Sequence, residues 1–211
     1  MIISVVAQKG GVGKSSIART IAVEFTRAGW SVLLADIDTS QATSNRWAEK
    51  RRNAAGIEPQ IKTGSFPTAT LAIEASEEYQ LTVIDGAPHA TIGTADAARA
   101  SNLVIIPTGS SMDDLEPAVL LANELANSLN SERIVFALYK TTSTAQARES
   151  RETLESYGFA VLPGEIAVKT GYIEAFDKGY CATETKYQQL NEAAGVIIQS
   201  IADRLKEVSN G

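Results

Sequence analysis

The stretch MIISVVAQKGGVGKSS, residues 1–16, joins a short apolar run to a glycine loop that ends in Lys14 and Ser15. The apolar run is rich in β-branched residues and has the length of a buried strand. The residues after Ser15 repeat apolar side chains four apart as far as Gly29, which predicts a helix that ends there. A strand, a glycine loop and a helix in this order predict a phosphate-binding loop at a helix N-terminus.

The rest of the chain alternates apolar runs with helix-like stretches. Nearly continuous Val/Ile/Leu runs are typical of strands buried on both faces of a parallel sheet, and they occur at residues 2–7, 31–36, 81–86, 102–108 and 133–139. Helices are predicted between them and at 187–208. This alternation predicts an α/β fold with a doubly wound, mostly parallel sheet and helices on both faces. A chain of 211 residues can bury one sizeable core, so we predict a single domain over residues 1–211. Because the first strand begins at Ile2, we expect no N-terminal helix-turn-helix domain.

Composition argues against several classes of protein. The chain has one cysteine, Cys181, and one histidine, His89, which argues against a disulfide framework, an iron–sulfur cluster or a Ser/His/Asp site. We expect His89 at a helix N-terminus. No run approaches the ~20 apolar residues that a membrane span needs, so we predict a cytoplasmic protein. The net charge of −6 means that any nucleic-acid binding must come from a local basic patch.

The glycine loop carries the chemistry of phosphate binding. Glycines let backbone N–H groups converge on phosphate oxygens, Lys14 would reach the β- and γ-phosphates, and the Ser15 hydroxyl would ligate Mg²⁺. The alternative is a glycine-rich turn that binds no ligand. The loop departs from the pattern G-x-x-x-x-G-K-[ST], because Gln8 stands at the first glycine and is followed by a second lysine, Lys9.

The motif KGGVGKS, residues 9–15, resembles the deviant Walker A motif of the ParA/MinD family of P-loop ATPases. The resemblance implies that Lys9 and Lys14 are both catalytic, and that Lys9 reaches the partner's nucleotide across an ATP-dependent homodimer. The alternative for Lys9 is a surface lysine beside the loop. By the same resemblance the nucleotide-binding residues are Lys9, Gly10, Gly11, Val12, Gly13, Lys14, Ser15 and Ser16.

Two later segments also resemble this family. LLADIDTSQATSNRW, residues 33–47, resembles its switch I, and LTVIDGAPH, residues 81–89, resembles its Walker B element. The resemblance implies that Asp38 orients the attacking water, that Asp36 supports Mg²⁺ and that Asp85 holds Mg²⁺ through water. Strand alternation places Asp36 and Asp38 on the same side. The alternative is that these aspartates only cap turns or end strands.

Two groups of basic residues are candidates for DNA contact. The segment RWAEKRR, residues 46–52, predicts a helix that brings its basic residues together beside Trp47: Arg46, Lys50, Arg51 and Arg52. This group is either a solvated helix face or a surface for DNA or a partner. By resemblance alone, a second group could form a C-terminal DNA patch: Lys169, Lys178, Lys186, Arg204 and Lys206.

The resemblance implies a small ParA-type plasmid partition ATPase that uses ATP and Mg²⁺. Such a protein would bind DNA non-specifically as a dimer, associate with the nucleoid when ATP-bound, and hydrolyse ATP when stimulated by a small centromere-binding or adaptor protein. One alternative is a MinD-like spatial regulator, which would need a basic amphipathic membrane helix; the mixed charge of residues 203–211 favours no membrane binding. Another is an ATP-dependent biosynthetic enzyme of the dethiobiotin-synthetase kind, which would have no use for Lys9.

Overall fold

The computed structural model describes residues 1–88 and 92–210 and has a parallel sheet at its centre. The strands are β1 (Ile2–Ala7), β2 (Val32–Asp36), β3 (Lys62–Ser65), β4 (Leu81–Pro88), β5 (Leu103–Thr108), β6 (Ile134–Thr141), β7 (Ala160–Val161) and β8 (Ile166–Ala167). Their order is β3-β2-β4-β1-β5-β6-β7, and β8 pairs with β6 beyond the end of β7. The strand pairs are parallel throughout the described residues.

Helices cover both faces of this sheet, which confirms the predicted α/β class. The helices are α1 (Lys14–Arg27), α2 (Thr43–Asn53), α3 (Ala69–Ala75), α4 (Ile92–Ala100), α5 (Met112–Ala126), α6 (Thr144–Ser156), α7 (Thr170–Asp177) and α8 (Gln188–Asn210). Helices α1, α2, α7 and α8 supply the core on one face, and α3 to α6 supply the core on the other. Strand alternation divides β1 between them, because Ile3 and Val5 face α1 whereas Ile2 and Val6 face the opposite layer.

The predicted elements appear close to their expected bounds, and three strands are additional. The five apolar runs form β1, β2, β4, β5 and β6, and α1 is followed by Gly29 with φ 89°, as the C-terminal stop requires. Strand β3 has the sequence KTGS, is exposed or half-buried along its length, and pairs only with β2 at the edge of the sheet. It carries no apolar pattern because a strand in that position buries little surface.

The sheet order places β1 between β4 and β5, where the winding of the chain reverses. The loop that follows β1 therefore opens at the carboxyl edge of the sheet, where open α/β folds bind ligands. In the register of β2 against β4, Asp36 lies opposite Asp85, and β1 places Val5 opposite Asp85 on the other side. Residues far apart in sequence thus meet around the start of α1.

The basic segment of α2 does not form a single solvent-facing group, so the expectation for Arg51 is wrong under either interpretation. Arg51 is fully buried, and its guanidinium donates to both carboxylate oxygens of Glu184 at 2.7 and 2.9 Å. Trp47 is also buried and donates through Nε1 to the Tyr180 carbonyl at 2.9 Å. The exposed basic residues of this segment are Arg46, Lys50 and Arg52.

Several members of the C-terminal basic group are paired with acidic side chains. Lys186 lies 3.0 Å from Glu174, and Arg204 lies 2.9 Å from Glu207. Lys169 and Lys178 flank α7 and are exposed. Among the residues that the structure describes, no helix combines the length and apolarity needed to cross a bilayer.

Candidate nucleotide-binding site

The loop between β1 and α1 depends on glycines at two positions. Gly11 and Gly13 have φ angles of 77° and 103°, in the left-handed region that favours glycine. At Gly13 space is also limiting, because a Cβ atom there would lie 2.4 Å from the ring of Tyr139. The Gly13 carbonyl accepts the first helical hydrogen bond of α1, from Ile17 N–H at 3.0 Å. The unpaired N–H groups in the first turn of α1 are therefore presented at the loop.

A cavity of about 320 Å³ opens above this loop. It is lined by Gly10, Gly11, Gly13, Lys14, Ser15, Ser16, Asp38, Gln41, Thr43, Asp85, Gly86, Tyr139 and Lys140. A larger groove of about 470 Å³ lies between the end of α1 and α8, with Phe25, Trp30 and Leu205 among its lining residues. That groove is mainly apolar and lies at the opposite edge of the sheet. The smaller cavity is the candidate site, because glycine N–H groups, a lysine and hydroxyls converge in it.

Lys14 is the buried cation of the cavity. Its residue is 8% exposed, and its ammonium donates one long hydrogen bond of 3.3 Å to the Lys9 carbonyl. Burial lowers the pKa of Lys14, and the nearby carboxylates of Asp85 and Asp38 oppose that shift. A desolvated ammonium whose backbone partner is weak is suited to donate to a phosphate oxygen as its main acceptor.

Asp85, at the end of β4, carries a carboxylate that is only partly satisfied. Its Oδ2 accepts a 2.6 Å hydrogen bond from Ser44 Oγ, whereas Oδ1 is buried without a hydrogen-bond partner in the described structure. Burial raises the pKa of Asp85 to about 6. Ser15 lies on the same cavity wall with its Oγ 3.1 Å from Thr43 Oγ1. A buried acceptor with a free oxygen beside hydroxyls is the oxygen-rich environment that Mg²⁺ prefers, so Ser15 and Asp85 fit a magnesium site.

Asp36 and Asp38 hold the turn that leads into α2. Asp36 is fully buried and accepts backbone N–H hydrogen bonds from Asp38 at 3.1 Å and from Ser44 at 2.9 Å. Asp38 lines the cavity, and its Oδ1 accepts from Ser40 Oγ at 2.6 Å and from Gln41 N–H at 3.2 Å. Both side chains thus organise the segment 36–44. Of the two, only Asp38 is among the residues that line the cavity. Support of Mg²⁺ by Asp36 stays a prediction, and its contacts favour an effect through the turn.

Lys9 is placed differently from Lys14. It is exposed at the rim, where its ammonium lies 2.7 Å from Asp114 Oδ1 and 3.2 Å from the Asp113 carbonyl. The hydrogen bond to Asp114 raises the pKa of Lys9. Asp113 and Asp114 occupy the first turn of α5, where the helix dipole favours acidic side chains. The two lysines of one loop therefore have separate surroundings, one inside the cavity and one directed outward.

The structure brings most of the predicted site residues together and adds some that sequence reasoning missed. Tyr139 ends the predicted strand 133–139 and Lys140 follows it, and both line the same cavity. Thr43 also lines the cavity and contacts Ser15. The available signal for Tyr139 was its position at the carboxyl end of an apolar run, which parallel sheets place at the binding edge. The prediction for His89 lies outside the described residues.

Comparison with known proteins agrees with this geometry. The family model for the CobQ/CobB/MinD/ParA nucleotide binding domain matches residues 3–180. Protein SopA of Escherichia coli K12 is 24% identical over 84% of this chain, which spans 64% of the length of SopA.

Solved structures share the fold at low sequence identity. The septum site-determining protein MinD from Pyrococcus horikoshii, complexed with Mg-ADP, has a TM-score of 0.76 at 16% identity over 95% of each chain. A putative plasmid partition protein from Borrelia burgdorferi bound to AMPPNP has a TM-score of 0.73 at 18% identity, covering 96% of this chain and 98% of its own. With a family model that matches most of its length and a glycine-loop cavity at the expected edge of the sheet, this chain belongs to the CobQ/CobB/MinD/ParA nucleotide-binding domain family.

Proposed function

We propose that this chain is a ParA-type partition ATPase that binds ATP and Mg²⁺, dimerises on ATP, binds DNA non-specifically and segregates a plasmid. The observation that carries the proposal is the separation of the two lysines. Lys14 is buried in the cavity with a single long backbone contact, whereas Lys9 is exposed on the rim and paired with Asp114. A second lysine that faces outward from a phosphate loop is suited to act on a neighbouring subunit's nucleotide.

The roles proposed for the residues rest on the resemblance to the family and are supported by their positions in the cavity. The glycine loop and Lys14 would hold the β- and γ-phosphates, and Asp38 at the cavity wall would orient the attacking water. Ser15 and Asp85 would hold Mg²⁺, which when bound neutralises charge on the phosphate oxygens. In the dimer, Lys9 would leave Asp114 and present its charge in trans to the negative charge that develops in the transition state.

DNA binding would come from exposed basic residues that dimerisation doubles. Arg46, Lys50 and Arg52 on α2 and Lys169 and Lys178 around α7 are exposed on a chain of net charge −6. Bound DNA would place the ATP form on the nucleoid within the cytoplasm. A small centromere-binding or adaptor protein would stimulate hydrolysis and so release the dimer.

The first test measures ATP-dependent assembly. We expect light scattering to show a dimer of the wild type with Mg-ATP and a monomer with Mg-ADP. Lys14→Ala should fail to bind nucleotide, whereas Lys9→Ala should bind ATP as a monomer and dimerise poorly. Lys62→Ala, which removes an exposed lysine on β3, is the matched control and should behave as wild type. A Lys9→Ala protein that dimerises and hydrolyses ATP normally would overturn the proposed role of Lys9.

The second test measures DNA binding by gel shift. We expect DNA binding only with ATP. About four phosphate contacts predict a slope near −4 in a plot of log affinity against log salt concentration. Equal DNA affinity with ADP, or none with ATP at low salt, would contradict the partition proposal. ATP-dependent sedimentation with liposomes would instead favour the MinD-like alternative, and turnover of a small substrate without DNA or partner would favour the biosynthetic one.

A further inference from the structure

Tyr139 lies beneath the phosphate loop in a position that the proposed mechanism leaves without a role. It belongs to β6, on the face that packs against α1, and its residue is 7% exposed. Its ring fills the space beside Gly13 so closely that a Cβ atom there would lie 2.4 Å from the ring carbons. The loop glycine therefore rests directly on the aromatic ring.

The Tyr139 hydroxyl makes a directed contact with the loop. It donates to Ser16 Oγ at 2.9 Å, and both residues line the cavity. Burial raises the pKa of Tyr139, which keeps the phenol protonated and able to donate. Because the Ser16 oxygen accepts this hydrogen bond, the Ser16 hydroxyl proton stays free to be donated elsewhere. An anion in the cavity would be a suitable acceptor for it.

The backbone beside Tyr139 is also unusual. Lys140 has φ 59°, a left-handed value that is uncommon outside glycine, and it too lines the cavity. The register of β6 against β8 also shifts between Tyr139 and Thr141, so the strand is irregular where the tyrosine meets the loop. Non-glycine residues held in this region cluster at binding sites, where the surrounding structure maintains the conformation.

We propose that Tyr139 is a positioning residue for nucleotide binding, whose ring supports Gly13 and whose hydroxyl orients the Ser16 hydroxyl toward a phosphate oxygen. The effect is preorganisation, because the loop and the serine donor are held in a binding geometry before the nucleotide arrives. This inference rests on the proposed use of the cavity for ATP and ADP. Within that cavity, it assigns the direction in which the Ser16 hydroxyl donates.

The test is a double-mutant cycle read by calorimetry with Mg-ADP. Tyr139→Phe keeps the ring and removes the hydroxyl, and we expect a loss of affinity of about three- to tenfold. Ser16→Ala should weaken binding as well, and in that background Tyr139→Phe should add almost nothing, because its effect passes through Ser16.

Tyr172→Phe is the matched control. Tyr172 is buried on the same face of the sheet, and its hydroxyl donates to the Leu190 carbonyl at 2.8 Å rather than to a loop residue. The Tyr172→Phe variant should lower the melting temperature about as much as Tyr139→Phe does and leave Mg-ADP affinity unchanged. Unchanged affinity of Tyr139→Phe, or the same loss with and without Ser16, would overturn the inference. A wild type that binds no nucleotide would instead overturn the proposed function and this inference with it.

Discussion

Replacing Arg51 by alanine should destabilise the protein strongly, although the residue belongs to a segment whose sequence predicts an exposed basic helix. The guanidinium has no exposed surface and makes hydrogen bonds to three groups. Nε donates to the Pro59 carbonyl at 2.8 Å, Nη1 donates to the Gly179 carbonyl at 3.0 Å, and two bonds reach the Glu184 carboxylate. The variant therefore loses a buried ion pair and leaves two carbonyls without a donor.

The expected magnitude follows from these contacts. Breaking a buried ion pair from one side costs about 3–5 kcal/mol in general. Glu184 keeps a second cation, since Arg27 lies 2.7 Å from its carboxylate, so we expect the lower end, about 3 kcal/mol. For a domain of this size, each kcal/mol lost from the free energy of unfolding lowers the melting temperature by about 2–4 °C, which predicts a decrease of about 6–12 °C.

The assay is thermal unfolding of the ligand-free protein followed by circular dichroism. Arg52→Ala is the matched control, because it removes the same side chain from the next, exposed position of α2 and should leave the melting temperature within about 1 °C of wild type. The difference between wild type and Arg51→Ala should shrink in acid. Burial acts to raise the pKa of Glu184, but the hydrogen bonds and charge of Arg51 lower it overall, so the pair's contribution is lost as pH falls through that lowered pKa. An Arg51→Ala protein as stable as Arg52→Ala would refute the reasoning.

Two further predictions concern the cavity carboxylates. Asp38→Ala should bind Mg-ATP and dimerise but release no phosphate, and turnover at the wild-type rate would place water positioning elsewhere. Burial raises the pKa of Asp85 from 3.8 to about 6 in the folded protein. The stability that the protonated carboxyl contributes is therefore fully present below the pKa of the unfolded chain and is lost as pH rises through about 6. In urea unfolding at about pH 8, ligand-free Asp85→Asn should therefore be more stable than wild type, by at most about 3 kcal/mol. It should also lose the dependence of ATP affinity on Mg²⁺, and a less stable variant with an intact Mg²⁺ response would contradict this.

The local order of residues was sufficient to predict the framework of the protein. Apolar runs of strand length, separated by helix-periodic stretches, predict a parallel sheet because strands covered on both faces must be apolar along their length. The loop from Gln8 to Ser16 predicts a phosphate site because its glycines, its lysine and the helix that follows are adjacent in sequence. These features depend on residues a few positions apart, so they can be predicted from the sequence without knowledge of the tertiary structure.

Contacts between distant segments were decided only by the tertiary structure. Arg51 and Glu184 are 133 positions apart, and no local pattern distinguishes a basic residue that will be buried by its partner from one that remains in solvent. Tyr139 and Ser16, 123 positions apart, meet because the sheet order places β6 near α1 on the same face. Lys9 meets Asp114 for a related reason, since β1 and β5 are neighbours and the loops that follow them emerge at one edge. The sequence by itself determined the five apolar strands and the type of site, whereas the packing of the elements decided which charges are buried, which are paired and which face outward.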